Sequence, residues 1–267
     1  MSSSSLFPVL DGKGPIALAE RVLMLHAVEF MLIVAVPVVA LLFLFAWRYR
    51  AGNTKAVYWP NWENSKMEEL IWWAIPFEIV LILGALTWGS THDLSPQKAL
   101  SEEAPLVVQV VALDWKWLFI YPGEGVATVN YLALPVGHPV RFEVTADAPM
   151  NSFWIPQLGG QIYAMTGMVT ALNLRADEVG TYKGMSANYS GDGFAGMKFV
   201  AEAVSEDDFD AWVSSAAASS TLLDTAGYKK LASPSQGSVA YYTIKNDLFD
   251  TIVAKYAGSA HTVGHTH

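Results

Sequence analysis

A glycine-rich segment of the chain reads Gly184-Met-Ser-Ala-Asn-Tyr-Ser-Gly-Asp-Gly-Phe-Ala-Gly-Met-Lys-Phe199. Four of its residues stand at positions i, i+4, i+8 and i+11: Ser186, Ser190, Phe194 and Met197. Two cysteines in place of the serines and a histidine in place of the phenylalanine would give a loop that holds a soft metal, because thiolates and imidazoles are good copper ligands. Serine hydroxyls and a phenyl ring are poor ones. The segment therefore has the spacing of a metal-binding loop without the donors.

The composition indicates a membrane protein. Of the 267 residues, 52% are hydrophobic and 15% are charged, which is too apolar for an ordinary soluble domain. A net charge of −9 without a basic cluster argues against a nucleic-acid partner. The chain has no cysteine, so disulfides, thiolate metal sites and a cysteine nucleophile are excluded.

Two long apolar runs predict a transmembrane hairpin over residues 22–92. The runs extend over about residues 27–47 and 70–89, and each is long enough to cross a bilayer as a helix. The alternative is a pair of buried helices in a soluble core, which would be expected to have shorter apolar runs.

The basic residues predict how the hairpin is oriented. The connecting loop 48–69 contains four of them: Arg48, Arg50, Lys55 and Lys66. The flanks contain fewer, so we expect the loop in the cytoplasm and both chain termini on the outside. Residues 1–21 are then an external N-terminal segment.

Residues 105–204 have the pattern of an all-β domain. Six β-branched, aromatic or alternating segments lie between Gly and Pro turns: 107–111, 115–121, 139–145, 169–174, 180–183 and 197–203. Short strands at this spacing predict an antiparallel sandwich. Trp115 and Trp117 are expected on one face of the second strand, where packing is the favoured role.

Residues 205–267 are predicted to form a helical C-terminal extension. Ser205 followed by acidic residues is typical of a capped helix start. Residues 214–221 are rich in Ala and Ser and are expected to be a flexible connection, and residues 247–256 a short helix. The tail contains His261, His265 and His267 and is expected to be solvated.

Four features occur in a characteristic order. Two spans are followed by Asp114-Trp-Lys-Trp117, then by Asn151-Ser-Phe-Trp-Ile-Pro156, and then by the opening loop. This order resembles subunit 2 of the haem–copper terminal oxidases over about residues 15–215. The resemblance implies that the β domain is a cupredoxin-like Greek-key sandwich, which in the cytochrome c oxidases of this family carries a two-copper centre.

The family's ligand pattern can be placed on this sequence position by position. It falls on Asn151, Ser186, Asn188 (a backbone carbonyl ligand), Ser190, Phe194 and Met197. The family has His at the first and fifth of these positions and Cys at the second and fourth. The resemblance thus implies that only the methionine is retained and that this chain binds no metal. We expect Met197 to be a core side chain.

The loss of the copper ligands selects a branch of the family. The loop and the preceding Gln161-Ile-Tyr-Ala-Met165 resemble subunit 2 of the bo-type ubiquinol oxidases. The resemblance implies a non-redox subunit of a bacterial inner-membrane complex that oxidises quinol, reduces oxygen to water and pumps protons. Haems, copper and ubiquinol would bind to subunit 1, and subunits 3 and 4 and membrane lipid would be further partners. Soluble cytochrome c is not an expected partner, and the β domain would be periplasmic.

A second function remains open at this point. A membrane-anchored periplasmic cupredoxin-like binding domain outside any oxidase would have the same composition. A working copper electron carrier is disfavoured by the absence of thiolates and imidazoles.

Three acids of the hairpin need an explanation. Glu69 lies in the first turn of the second span, where acids stabilise a helix, and the resemblance also suggests the mouth of a proton-uptake path in subunit 1. Glu78 lies about nine residues into the second span, so we expect it to face subunit 1 or the first span with a hydrogen-bond partner. Glu29 is expected at the outer membrane interface.

Overall fold

A computed structural model of the chain describes residues 7–55, 57, 65–219, 221–244 and 247–257. It contains two compact units. Val22–Ser95 forms the helical unit, and Met1–Arg21 together with Pro96–His267 forms the β unit. The histidines of the tail lie outside the described residues.

Two long helices, α1 (Pro15–Arg48) and α2 (Lys66–Asp93), contain the two predicted spans. Pro15 suits the first position of α1, where its missing N–H has no helical partner to lose. Ser65 caps α2 by accepting the Glu68 N–H at 3.4 Å. Both helices are long and apolar enough to cross a membrane, and none of their most apolar stretch is buried within the described chain. The helices of a soluble core would be buried there, so these two need lipid or another protein around them.

The β unit is built mainly from short strands. Their bounds are β1 (Leu106–Leu113), β2 (Lys116–Tyr121), β3 (Val126–Val129), β4 (Tyr131–Pro135), β5 (Val140–Ala146), β6 (Asn151–Trp154), β7 (Ile162–Ala164), β8 (Thr170–Leu174), β9 (Gly180–Ser186), β10 (Lys198–Val204), β11 (Thr221–Leu222) and β12 (Ala240–Thr243). They form two sheets with the orders β11-β12-β3-β2-β1-β5-β8 and β4-β10-β9-β6-β7. The predicted sandwich is confirmed.

The sandwich was expected to be antiparallel, and this holds for most but not all of its strand pairs. β1 pairs in parallel with β5, β4 with β10, and β11 with β12, whereas the other pairs are antiparallel. The alternation of apolar and polar residues shows which face of a strand is buried, but it carries no information on the direction of the neighbouring strand.

Aromatic rings fill the space between the sheets. Phe153 of β6 stacks on Phe199 of β10 with ring centroids 5.2 Å apart, and Trp117 of β2 meets Phe153 edge-on at 5.4 Å. All three side chains are 3% exposed or less. β2 is buried along its whole length. A sandwich strand with one face in solvent would have an exposed side chain at every second position, so both faces of β2 must be covered.

The C-terminal extension explains why β2 is buried on both faces. Its helices are α3 (Glu206–Ser219), α4 (Thr225–Ala232) and α5 (Leu248–Ala257). Side chains of α4, α5 and their neighbours cover the outer face of the seven-stranded sheet: Leu223, Tyr228, Phe249 and Ile252 pack on Val111, Leu113, Leu118, Ile120 and Val129. The predicted helical extension is therefore confirmed, but β11 and β12 also add strands to the sheet.

The expected flexible connection at residues 214–221 is wrong. α3 continues to Ser219, and β11 begins at Thr221. Ala216 is buried, so tertiary packing holds this stretch although its composition resembles a linker.

Two buried charges of the sandwich hold the extension. The Asp147 carboxylate, whose side chain is 1% exposed, accepts hydrogen bonds from the Tyr228 hydroxyl (2.8 Å), from the Lys255 ammonium (2.6 Å) and from the Tyr256 hydroxyl. Burial raises the pKa of the Asp147 carboxyl, but these hydrogen bonds outweigh burial and hold the pKa below its usual value.

The second buried charge is Lys116 at the start of β2. Its ammonium donates to the Ser233 carbonyl (2.8 Å) and to the Ser235 hydroxyl (2.7 Å) in the segment that follows α4. Desolvation lowers the pKa of this lysine. The Asp147 carboxylate and the Lys116 ammonium both form hydrogen bonds with the C-terminal extension. These two groups therefore hold the extension on the sandwich at two points.

The segment before α1 is also part of the β unit. The Lys13 N–H donates to the Gln157 carbonyl at 2.7 Å, and the Lys13 ammonium contacts Glu178 at 2.8 Å. Gly14 lies so close to the chain that a Cβ there would stand 2.2 Å from the Arg175 carbonyl oxygen. Only glycine permits this approach, which ties the start of α1 to the sandwich.

Candidate functional site

The opening loop connects β9 to β10 and faces β6. Backbone hydrogen bonds close its base: the Ser186 N–H donates to the Met197 carbonyl (3.1 Å), and the Ala187 N–H donates to the Ser152 carbonyl (3.0 Å). The loop is therefore anchored on both its own hairpin and the neighbouring strand.

Three of the six positions singled out in the sequence meet at the base of the loop. The Ser186 hydroxyl lies 2.8 Å from Asn151 Oδ1 and 3.2 Å from the Asn188 carbonyl oxygen. Asn188 Nδ2 in turn donates to the Met150 carbonyl at 2.9 Å. Asn151 and Ser186 are 1% and 6% exposed, so this is a buried polar cluster and not a surface contact.

The other three positions have separate surroundings. Ser190 Oγ is buried and has no hydrogen-bond partner among the described residues. Phe194 begins a short 3₁₀ turn and packs edge-on against Tyr189, with ring centroids 5.7 Å apart. Met197 is 1% exposed and belongs to the sandwich core.

Trp115 holds the upper part of the loop. Its indole N–H donates to the Ser190 carbonyl at 3.1 Å. A Cβ on Gly193 would stand 2.2 Å from the Trp115 ring, and Gly191 has φ +107, so both glycines are needed where the chain passes over the indole.

This arrangement corrects the prediction that Trp115 and Trp117 share one face of a strand. Trp115 lies before β2 in a turn and has φ 63, whereas Trp117 lies in β2 and is fully buried. Alternation along a strand applies only after the strand has begun. The glycines at 191 and 193 indicate that another part of the chain packs closely against the loop backbone, but the sequence does not show that this part is Trp115.

The side chains at the six positions do not fit a copper pair. They offer hydroxyl and amide oxygens, a phenyl ring and a thioether that is packed in the core, whereas a two-copper centre needs thiolates and imidazoles. Within the residues that the structure describes, no three or more His, Asp or Glu side chains are grouped to hold a metal ion. Hydrogen bonds from Ser186, Asn188 and Trp115 order the loop instead.

Comparison with known proteins places the chain in a family. The model of the cytochrome c oxidase subunit II periplasmic domain matches residues 122–204, and the model of the COX aromatic rich motif matches residues 217–259. The ubiquinol oxidase subunit 2 of Acetobacter aceti is 51% identical over 93% of this chain and 82% of its own length. The chain belongs to the ubiquinol oxidase subunit 2 family. The cytochrome bo(3) ubiquinol oxidase subunit 2 of Pseudomonas putida is also 51% identical, over 94% of this chain and 81% of its own length.

Solved structures similar to this ubiquinol oxidase subunit 2 family member include a periplasmic domain. The periplasmic domain of subunit II of cytochrome oxidase from Bradyrhizobium japonicum is 22% identical and covers 45% of this chain and 95% of its own, with a TM-score of 0.41.

The two acids singled out in the second span lie on the surface of this subunit 2 chain. Glu69 is in the first turn of α2 and is exposed. Glu78 is exposed as well and makes no hydrogen bond or ion pair with the residues that the structure describes. Neither acid is near the opening loop in sequence or part of its cluster.

Proposed function

We propose that this chain is the non-redox subunit 2 of a respiratory ubiquinol oxidase that oxidises membrane quinol, reduces oxygen to water and pumps protons. The observation that carries the proposal is the similarity to ubiquinol oxidase subunits 2, which covers more than nine-tenths of the chain. Haems, copper and the quinol site belong to subunit 1, and subunits 3 and 4 complete the complex. The chain itself is membrane-anchored.

In this proposal the opening loop is a copper site that has lost its ligands. The positions concerned are Asn151, Ser186, Asn188, Ser190, Phe194 and Met197. The support is geometric: Asn151 and Ser186 are 35 residues apart in sequence, yet their side-chain oxygens lie 2.8 Å apart in the cluster. An electron from membrane quinol does not need a relay from a soluble cytochrome, so no donor of that kind docks here.

The proposed topology has the β unit and both termini in the periplasm. The chain passes from the β unit to the helical unit after Arg21 and returns after Ser95, so two crossings bring it back to the same side. The basic residues of the loop between α1 and α2 support a cytoplasmic position for that loop.

Glu69 is proposed to stand at the mouth of a proton-uptake path of subunit 1. Its exposed position in the first turn of α2, at the cytoplasmic end in this topology, supports the role. We expect Glu69→Gln to lower turnover of the assembled oxidase and to change its dependence on proton supply, while Glu68→Gln in the same turn has a smaller effect. If turnover is unchanged in Glu69→Gln, the residue has no role in proton uptake and only stabilises the start of α2 by its charge.

Gentle purification tests the main proposal. Membranes are solubilised in mild detergent, the tagged chain is isolated, and the eluate is assayed for haem and for quinol-driven oxygen uptake. We expect both to accompany the chain. A colourless chain without partners would support a membrane-anchored binding domain outside an oxidase, and a copper absorption band without haem would support an electron carrier.

A further inference from the structure

A cleft between α4 and α5, called here the α4–α5 cleft, lies within the C-terminal extension of the β unit. It has a volume of about 520 Å³ and is lined by residues between 222 and 229 on one side and between 247 and 255 on the other. Pockets that bind small molecules in proteins generally measure about 300–1,000 Å³. The cleft is therefore large enough for a small ligand, and none of its lining residues belongs to the opening loop or to the membrane hairpin.

The floor of the α4–α5 cleft is apolar. Leu223, Tyr228 and Ile252 are 4%, 9% and 2% exposed, and the Tyr228 hydroxyl is already bonded to Asp147. Leu222 also lines the cleft and is 48% exposed. Water in contact with these side chains is released when an apolar group enters, so the cleft favours a ligand with an apolar body.

Three polar side chains of the cleft are already used by the fold. The Asp224 carboxylate accepts a backbone N–H of α4 at 2.7 Å and caps this helix. The Thr251 hydroxyl donates to the Asp247 carbonyl at 2.7 Å, and the Lys255 ammonium donates to the Asp147 carboxylate at 2.6 Å. These three groups position the helices and are not the main binding groups for a ligand.

Two opposite charges of the cleft have no side-chain partner among the described residues. They are the Lys229 ammonium in α4 and the Asp247 carboxylate before α5, and both residues are exposed. The two charges line the same cleft but do not pair with each other. A ligand that carries one ammonium and one carboxylate can bind both, because each charge then gains a charge-assisted hydrogen bond.

The volume of the cleft indicates the size of this ligand. At about 30 Å³ for each water molecule, the cleft has room for roughly 17 waters. A dipeptide of two leucines has about the same number of non-hydrogen atoms, whereas a single leucine has about half as many. A short peptide therefore suits the cleft better than a free amino acid.

We propose that the α4–α5 cleft binds a short apolar peptide with free termini. The side chains of the peptide lie on the apolar floor formed by Leu223, Tyr228 and Ile252. Its carboxylate is bound by the Lys229 ammonium, and its ammonium is bound by the Asp247 carboxylate. This site goes beyond the proposed oxidase function and does not depend on it, because no residue of the cleft takes part in that proposal.

Calorimetric titration tests the site. The full chain, in the assembly in which it is purified from membranes, is reconstituted in lipid nanodiscs, so that detergent monomers do not compete for the apolar floor. We expect saturable binding of one Leu-Leu dipeptide per chain. Gly-Gly keeps both charges but lacks the apolar side chains, so it should bind at least tenfold more weakly. No saturable binding of Leu-Leu, or equal binding of Gly-Gly, would overturn the proposal.

Blocked peptides show which end of the ligand meets which residue. N-acetyl-Leu-Leu lacks the ammonium and Leu-Leu amide lacks the carboxylate, so each should bind about fivefold more weakly than Leu-Leu. Lys229→Gln should weaken Leu-Leu by the same factor but leave the affinity for Leu-Leu amide unchanged, because this peptide has no carboxylate to lose. Asp247→Asn should likewise weaken Leu-Leu but not N-acetyl-Leu-Leu. If each variant weakens the blocked and unblocked peptides equally, the two charge contacts are wrong.

Neighbouring residues provide matched controls. Lys230→Gln and Asp250→Asn remove exposed charges next to the cleft that do not line it, so the affinity for Leu-Leu should be unchanged. A loss as large as in Lys229→Gln or Asp247→Asn would contradict specific contacts. Thr251→Trp places a large ring in the cleft and should abolish binding, while circular dichroism checks that the variant is folded. Undiminished binding in this variant would place the peptide elsewhere and overturn the proposal.

Discussion

Removal of the Asp147 carboxylate is the most informative perturbation of the β unit. Asp147→Ala deletes the acceptor shared by Tyr228, Lys255 and Tyr256. The Lys255 side chain is 56% exposed and can be rehydrated, whereas Tyr228 is 9% exposed and its hydroxyl would stay buried. We expect the loss of the Lys255 hydrogen bond to lower the stability of the extension by about 1 kcal/mol and the unpaired Tyr228 hydroxyl to lower it by about 2 kcal/mol, or about 3 kcal/mol in total.

Hydrogen exchange can measure this loss locally. A destabilisation of about 3 kcal/mol corresponds to about a hundredfold faster exchange from opening of the extension. Mass spectrometry of the intact detergent-solubilised protein should show this acceleration in α4 (Thr225–Ala232) and α5 (Leu248–Ala257). β10 in the other sheet should be unaffected. Tyr256→Phe serves as a control and should have a much smaller effect, because Tyr256 is only half-buried and the hydrogen bonds of Tyr228 and Lys255 to Asp147 remain.

Two results would refute the reasoning. Unchanged exchange in α4 and α5 of Asp147→Ala would mean that apolar packing alone holds the extension. The double variant Asp147→Leu with Tyr228→Phe removes donor and acceptor together and should recover much of the stability, since no polar group is then stranded. A double variant as unstable as Asp147→Ala would show that the stranded hydroxyl is not the cause.

The same carboxylate predicts a pH dependence. Because the pKa of Asp147 is lower in the folded protein than its ordinary value of about 3.9, its contribution is fully present above about pH 4 and is lost as the pH falls through the lower folded value. Protection of α4 and α5 should therefore be constant from neutral pH down to about pH 5 and fall below pH 4. Asp147→Ala should not show this acid-dependent step.

Three further perturbations test the loop and the N-terminal anchor. A fourfold variant with His at positions 151 and 194 and Cys at positions 186 and 190 should take up copper and show a visible absorption band. A well-folded variant without copper would mean that these positions do not correspond to the family's copper ligands. Gly14→Ala brings a Cβ to 2.2 Å from the Arg175 carbonyl oxygen, so calorimetry should show that the free energy of unfolding of the β unit falls by about 1–3 kcal/mol. Gly52→Ala is the control and should be neutral, because a Cβ there has no atom within 4 Å. Trp115→Phe keeps an aromatic ring but loses the hydrogen bond to Ser190, so amide exchange in residues 187–197 should rise severalfold; equal exchange would show that ring packing alone orders the loop.

The hairpin and the sandwich could be predicted from the sequence because each depends on a local pattern. About twenty apolar residues make a span wherever they occur, and β-branched alternation between turns makes a strand. The direction of neighbouring strands does not follow from such a pattern, so the expected antiparallel sandwich did not include the parallel pairs β1–β5 and β4–β10. The Ala/Ser-rich stretch before Ser219 was predicted flexible because composition does not reveal burial.

The sequence by itself determined which donors the loop can offer: no thiolate, no imidazole, and one methionine. That follows from residue identity and needs no coordinates. Only the tertiary structure decided what replaces a metal there, because Asn151, Ser186 and the Trp115 indole approach the loop from different strands and a turn. The same holds for Asp147 and Lys116, whose partners lie about 80 to 120 residues away along the chain. Contacts over such separations arise when the two sheets close around one core, and no local pattern encodes them.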